Sequence, residues 1–249
     1  MITAYHRPQD LQEALTLLAR PNTLPLGGGT KLNTPAYQNQ DFEVADLQAL
    51  GLNHLHKKEN TLEIGAAAPL EVLRQNSHSS AALKQALRLE APLNLRNAAT
   101  VAGTLAACDG RSPLAVLMLA LDAKLTIISE QTSVVGLAEY WALRPAGLIT
   151  RIDLPLNITC AYQQVARTPA DVPIVCAALA QWKGGRTRLA LGGWDKFPTL
   201  ALDGTEADGL AEAVRSACHE SGDAWASADY RANVAVTLAG RCLAGYPEE

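Results

Sequence analysis

Cysteine is scarce and scattered in this chain. The five cysteines, at 108, 160, 176, 218 and 242, are odd in number and form no C-x-x-C pair. Neither a disulfide framework nor a metal or cluster site of the chain's own is therefore expected, and the five read as reduced thiols of a cytoplasmic protein. Positive charge is not in excess either. Against 25 acidic residues there are 21 basic ones, a formal net charge of -4, which removes the electrostatic reason to bind nucleic acid or an anionic membrane. No uncharged apolar run approaches the roughly 20 residues of a membrane span. The opening from Met1 to Pro8 has no long apolar run behind a basic flank, so no secretory signal is expected. What remains is a 249-residue chain of ordinary composition, long enough for one large domain or two modest ones, with small molecules or other proteins as partners.

Local patterns divide the chain. Asp10 followed by Glu13 predicts a capped amphipathic helix through Leu11, Ala14, Leu15 and Leu18, ended at Pro21. Thr23–Leu26 and Phe42–Asp46 read as strands of a small βαβ-like lobe, and Thr61–Ile64 as a third strand. Short helices are expected at 69–75 and 80–90, and Ser112-Pro113 is suited to start another through Leu114–Leu121. Lys124–Ser129 and Leu148–Leu154 read as strands. Beyond about residue 157 the texture changes. Ala177–Lys183 and Arg186–Leu191 form a hairpin across Gly184-Gly185, followed by alanine-rich helices at 206–220 and 229–240, the second capped by Asp229. These changes place a boundary after residue 156, with Leu154–Asn157 as the exit of a strand into a linker.

Two small-residue stretches carry the chemistry. Pro25-Leu-Gly-Gly-Gly-Thr-Lys-Leu32 and Leu95-Arg-Asn-Ala-Ala-Thr-Val-Ala-Gly-Thr-Leu105 each join glycine to threonine after an apolar segment. Glycine lets backbone N–H groups approach an anion closely, and a hydroxyl adds a hydrogen bond. The first lacks the spacing of a P-loop or of a dinucleotide fingerprint, and either stretch alone fits a tight turn with no ligand equally well. As a pair they predict two halves of one phosphate cradle.

The ordered set of Pro25–Leu32, Leu62–Ala66, Leu95–Ala106 and Ala120–Ala123, with Leu191–Gly193 and Ala226–Arg231 further on, resembles the FAD-binding subunits of molybdenum hydroxylases, such as carbon monoxide dehydrogenase and xanthine dehydrogenase-like enzymes. The resemblance implies an α+β fold, with a PCMH-type FAD-binding domain of two α/β lobes over residues 1–156. A smaller domain with a three-stranded antiparallel sheet and helices would follow over 157–249. It implies that Leu26, Gly27, Gly28, Gly29, Thr30, Lys31 and Leu32 contact the adenosine diphosphate end of FAD, and that Thr100, Gly103 and Thr104 form a second clamp. It implies electron transfer from [2Fe-2S] clusters on a small subunit, supplied by a molybdopterin-binding large subunit, to FAD and on to NAD or another acceptor. Arg96 and Asn97 belong to the same signature and are expected to organise the loop.

Four positions depart from the family's pattern. Ala102 stands for a glycine, at a cost of about 1 kcal/mol wherever φ must be positive. Thr104 stands for an asparagine, Pro113 for a flavin-contacting aspartate, and Gln163 for a basic residue. They define the alternative, a degenerate member that serves as an assembly or scaffold subunit without FAD. A stand-alone flavin oxidase fits less well, because no general base lies near either stretch. His54 and His56 form a lone H-x-H that reads as surface, with no metal expected. Cys108 reads as a small packed side chain, and Trp194 as lining either a flavin edge or a subunit contact.

Overall fold

The computed structural model describes residues 1–37, 39–168 and 170–245. The first lobe is β1 (Ile2–His6), α1 (Leu11–Leu18), β2 (Thr23–Leu26) and β3 (Phe42–Asp46). Its strands form a parallel sheet in the order β1-β3-β2. The helix starts as expected: the Glu13 N–H donates to the Asp10 carboxylate at 2.9 Å, and the Glu13 carboxylate accepts from the Gln9 N–H at 2.8 Å.

The second lobe runs through β4 (Leu55–Lys58), β5 (Thr61–Gly65), α2 (Leu70–Gln75), α3 (Ala81–Glu90), α4 (Leu93–Ala98), α5 (Val101–Ala106), α6 (Pro113–Ala120), β6 (Lys124–Ile128), β7 (Thr132–Gly136), α7 (Leu137–Leu143) and β8 (Leu148–Pro155). Its antiparallel sheet has the order β4-β5-β8-β6-β7. The expected start of α6 holds: the Ala115 N–H donates to Ser112 Oγ at 3.1 Å and Pro113 opens the helix, where its missing N–H has no intrahelical partner to lose.

The C-terminal sheet is β12-β11-β10-β9, built from β9 (Ile158–Val165), β10 (Val175–Trp182), β11 (Thr187–Gly192) and β12 (Thr199–Gly204), and it is backed by α8 (Leu210–Ala217) and α9 (Ala228–Ala244). The sheet thus has four antiparallel strands rather than three. Both edge strands lie outside the expected hairpin: β12 is partly exposed throughout and β9 is mostly half-buried with only Tyr162 fully inside, so their sequences carry little apolar contrast. Two helix limits also differ from expectation. The first of the pair is only Leu210–Ala217, and the second is capped by Ser227, whose Oγ accepts from the Tyr230 N–H at 3.2 Å, rather than by Asp229. Asp229 instead lies in the first turn, where a negative charge favours the helix dipole.

One element joins the two halves. Every residue of α6 is buried, because α3 lies on one side and β10 and β11 on the other. Strand alternation then sorts β10: Cys176, Ala178 and Ala180 face the core containing α6, while Val175, Ala177 and Leu179 face the core containing α9. A strand covered on both faces reads as a continuous apolar run, which is how Val175–Ala180 appears in the sequence. Among the described residues no helix is long and apolar enough to cross a membrane.

Candidate functional site

The end of β2 carries Leu26 into the first stretch, which lies against the turn between α4 and α5. A side-chain carbon on Gly28 would stand 1.7 Å from the Ala98 carbonyl oxygen, and one on Gly27 would stand 2.9 Å from Thr100 Oγ1. The two stretches are therefore in contact, and Gly28 is held by that contact. Gly29 has φ +68, an αL conformation that opens a tight turn in which Asn33 N–H donates to Gly29 O at 3.3 Å and Thr34 N–H to Lys31 O at 3.1 Å. Among the described residues, none of the backbone N–H groups from Gly27 to Leu32 has a protein acceptor. Free N–H groups bent through αL have the form on which an anion can be held. Lys31 is exposed and, among the described residues, has no ion-pair partner.

The second stretch is built differently from the expected loop. It is two short helices joined at Ala99 and Thr100. Its first-turn amides are occupied: Val101 N–H donates to Ala68 O at 2.9 Å, Ala102 N–H to Ala66 O at 3.2 Å, and Gly103 N–H to Thr100 Oγ1 at 3.2 Å. Of the expected second clamp, the Gly103 and Thr104 amides are thus spent inside the protein, while the Thr100 N–H has no protein acceptor among the described residues. Thr100 retains that N–H and its hydroxyl proton, since capping uses only an oxygen lone pair. Ala102 is helical, so the positive-φ penalty does not arise.

Around this junction the surface forms a cleft of about 540 Å³ bordered by Leu26, Gly27, Gly28, Asn97, Ala98 and Thr100, together with Arg7, Gln48 and Asn53. Across the Gly27–Thr100 contact lies a smaller hollow of about 120 Å³, to which Ala102, Gly103 and Tyr140 contribute. Gly29, Thr30, Lys31, Leu32 and Thr104 border neither space. The side chains of Arg7, Gln48, Asn53 and Asn97 make no hydrogen bond or ion pair with another described residue. Arg7, Gln48 and Asn53 escaped the reading of the sequence because each belongs to a different segment and none sits in a glycine motif.

Glu90 also escaped it. At the start of α6, beside Pro113, Ser112 Oγ–H donates to Glu90 Oε2 at 2.8 Å and the Leu114 N–H donates to the same oxygen at 3.0 Å. Burial pushes the Glu90 carboxyl above its usual range, while those two donors and the nearby Lys31 charge pull it back. The other residues weighed from sequence resolve simply. Cys108 is packed with its Sγ donating to Leu105 O at 3.2 Å, and burial, with Glu90 and Asp109, pushes its thiol up to about 12. Trp194 is buried in the C-terminal core, with the Arg231 guanidinium over its ring, so it lines neither a flavin edge nor a subunit surface. His54 and His56 stack on each other at 5.0 Å. Gln163 sits on β9 opposite Ala177. Among the described residues no group of three or more metal-ligating side chains occurs.

This architecture is matched by known proteins. Residues 1–157 match the family described as the FAD binding domain in molybdopterin dehydrogenase. The uncharacterized protein YgfM of Escherichia coli strain K12 is 30% identical over 96% of this chain and 94% of its own. The glyceraldehyde dehydrogenase medium chain of Sulfolobus acidocaldarius is 28% identical over 80% and 78%. Among solved structures, reconstituted CO dehydrogenase from Oligotropha carboxidovorans superposes with a TM-score of 0.83 at 23% identity, covering 97% of this chain and 96% of that one. Quinoline 2-oxidoreductase from Pseudomonas putida 86 gives 0.82 at 22%, covering 97% and 95%. The chain belongs to the family of FAD-binding subunits of molybdenum hydroxylases, and is by family an oxidoreductase subunit with the PCMH-type fold.

Proposed function

We propose that this chain is the electron-transfer subunit of a cytoplasmic molybdenum hydroxylase. In this reading it accepts electrons from [2Fe-2S] clusters on a small subunit, fed by a molybdopterin-binding large subunit, and passes them through FAD to NAD or another acceptor. Residues 1–156 are the FAD-binding domain and 157–249 the domain that completes it. The observation that carries the reading is the run of unpaired N–H groups from Gly27 to Leu32, whose number and curvature fit a pyrophosphate. The residues present fit FAD at this stretch. Leu26 through Leu32 hold the diphosphate, and Arg7 and Lys31 add positive charge. The Thr100 hydroxyl orients one oxygen, and Gln48, Asn53 and Asn97 offer amide donors and acceptors to the adenosine part in the larger cleft. FAD supplies the redox chemistry; the chain supplies binding, orientation and electrostatics.

A specific observation favours the second reading, a subunit that keeps the fold as a scaffold without FAD. The α5 amides are spent inside the protein, and beyond them Gly110 is clasped by the C-terminal part: its N–H donates to Asp195 O at 3.2 Å, and its carbonyl accepts from the Gly193 N–H at 2.8 Å. The deciding experiment is the visible absorption spectrum before and after incubation with excess FAD and desalting, alongside calorimetric titration with ADP. Near-stoichiometric retained flavin and measurable ADP binding are expected. A folded, colourless protein that binds neither ligand overturns the electron-transfer reading in favour of the scaffold.

A further inference from the structure

We infer that Arg96, which touches neither cleft nor hollow, is the positioning residue that sets the height of the Gly27–Leu32 anion surface, acting through an ion pair with Glu71; its bearing on ligand affinity rests on the nucleotide reading above. The helix that ends beneath the first stretch, α4, has little of its own to hold it. It is six residues long, begins at Pro92 without a side-chain cap, and exposes Leu93 and Leu95. Such a segment is not stable alone. Arg96 is its one buried side chain. From there its Nε donates to Glu71 Oε2 on α2 at 2.7 Å, and its Nη1 donates to the carbonyls of Ala91 at 2.7 Å and Arg88 at 3.3 Å, at the end of α3. One planar guanidinium therefore ties α4 to two neighbouring helices at fixed angles. Glu71 is in turn locked, accepting two hydrogen bonds from Arg74 Nε and one from its Nη2, and one from Gln75.

Two residues past Arg96, the Ala98 carbonyl is the surface on which Gly28 rests, close enough that no side chain fits between them. Any movement of α4 toward or away from the first stretch is therefore passed directly to the backbone carrying the free N–H groups. Glu71 lies 43 residues from Gly28 in the chain, counting from 28 to 71, and its carboxylate acts on α4 through this arginine, beside the backbone bond from the Leu70 N–H to Ala99 O at 2.9 Å.

The test compares wild type with Arg96→Lys and with Asp122→Asn, which perturbs a distant ion cluster. It uses amide NMR of the ligand-free proteins and calorimetry with ADP and FAD. Lysine keeps the charge but, as a single donor head, cannot span Glu71 and the α3 carbonyls together. In Arg96→Lys the amide resonances of Gly27–Leu32 are expected to shift, and the affinity for ADP to fall by about tenfold or more. Asp122→Asn should lower thermal stability while leaving those resonances and that affinity unchanged. Unmoved Gly27–Leu32 resonances in folded Arg96→Lys, or an equal loss of ADP affinity in Asp122→Asn, overturn the inference. If wild type binds neither nucleotide, the functional reading fails, yet the resonance comparison still decides the role of Arg96.

Discussion

At the scale of single residues, two carboxylates in the second lobe are pushed in opposite directions. Glu71 is held below the usual carboxylate range, first by the hydrogen bonds from Arg74 and Arg96. It therefore contributes stability that is present above the ordinary carboxylate pKa and is lost as pH falls toward its own lowered value. Glu90 is raised by burial, so the folded state holds its proton longer than the unfolded state, and stability falls as pH rises from the ordinary value to the raised one. Denaturation of Glu71→Gln and Glu90→Gln across pH 3.5 to 8 should separate them. The deficit of Glu71→Gln is expected to grow with rising pH and then level. Over the same range Glu90→Gln should become progressively more stable relative to wild type, since a glutamine oxygen still accepts from Ser112 and Leu114. Parallel profiles for the two variants would contradict the assignment. The thiols offer a second check. Burial pushes Cys108, Cys176 and Cys242 up to about 12 and Cys218 to about 11, and also raises Cys160. Iodoacetamide at pH 7.5 should leave all five largely unmodified until the protein is unfolded, because only the thiolate attacks.

At the scale of elements, the contact between the first stretch and the α4–α5 turn is the sensitive point. Gly28→Ala places a methyl where the Ala98 carbonyl already lies, so one of the two segments must move, at a cost of roughly 1–3 kcal/mol. The expected result is a lowered melting temperature together with loss of FAD and ADP binding. Gly184→Ala, in the exposed hairpin turn where nothing lies within 4 Å of the added carbon, should leave both nearly unchanged. The first stretch was legible because an apolar strand runs into three glycines. The second was not. Gly103 reads as loop punctuation, yet the segment is helical because the Val101 and Ala102 amides find the carbonyls of Ala68 and Ala66, more than thirty positions away in sequence.

At the scale of the whole molecule, the halves meet through α6 and an ion cluster. The Asp122 carboxylate accepts from Lys124 at 2.9 Å and Arg186 at 3.0 Å and pairs with Arg188 at 3.1 Å, while Asp203 pairs with both arginines at 2.8 Å and 2.7 Å. Arg188 is buried, so Asp122→Asn, which keeps a residue tolerant of the φ of +57 there, is expected to cost about 1–3 kcal/mol in chemical denaturation. A change within error would show that Asp203 alone satisfies both arginines. Expression of residues 1–156 alone should give an aggregating fragment, because the face of α6 covered by β10 and β11 is then bare. A soluble, cooperative fragment would contradict that role for α6.

The sequence by itself determined the elements whose signals are local: the Asp10 and Ser112 caps, the apolar run of α6, the hairpin across Gly184-Gly185 and the glycines after β2. Each follows from side chains or backbone freedom within a few positions, and the resemblance of ordered segments led to the family. Tertiary structure alone decided that the amides of the first stretch are free and that those of Val101, Ala102, Gly103 and Thr104 in the second are occupied. It also decided that Arg7, Gln48 and Asn53 share a cleft, that Trp194 is core, and that Glu90 caps α6. These depend on which carbonyl, carboxylate or side chain is brought near from a distant part of the chain. A hydrogen bond is made or left open by distances of a few tenths of an ångström, which no local pattern specifies.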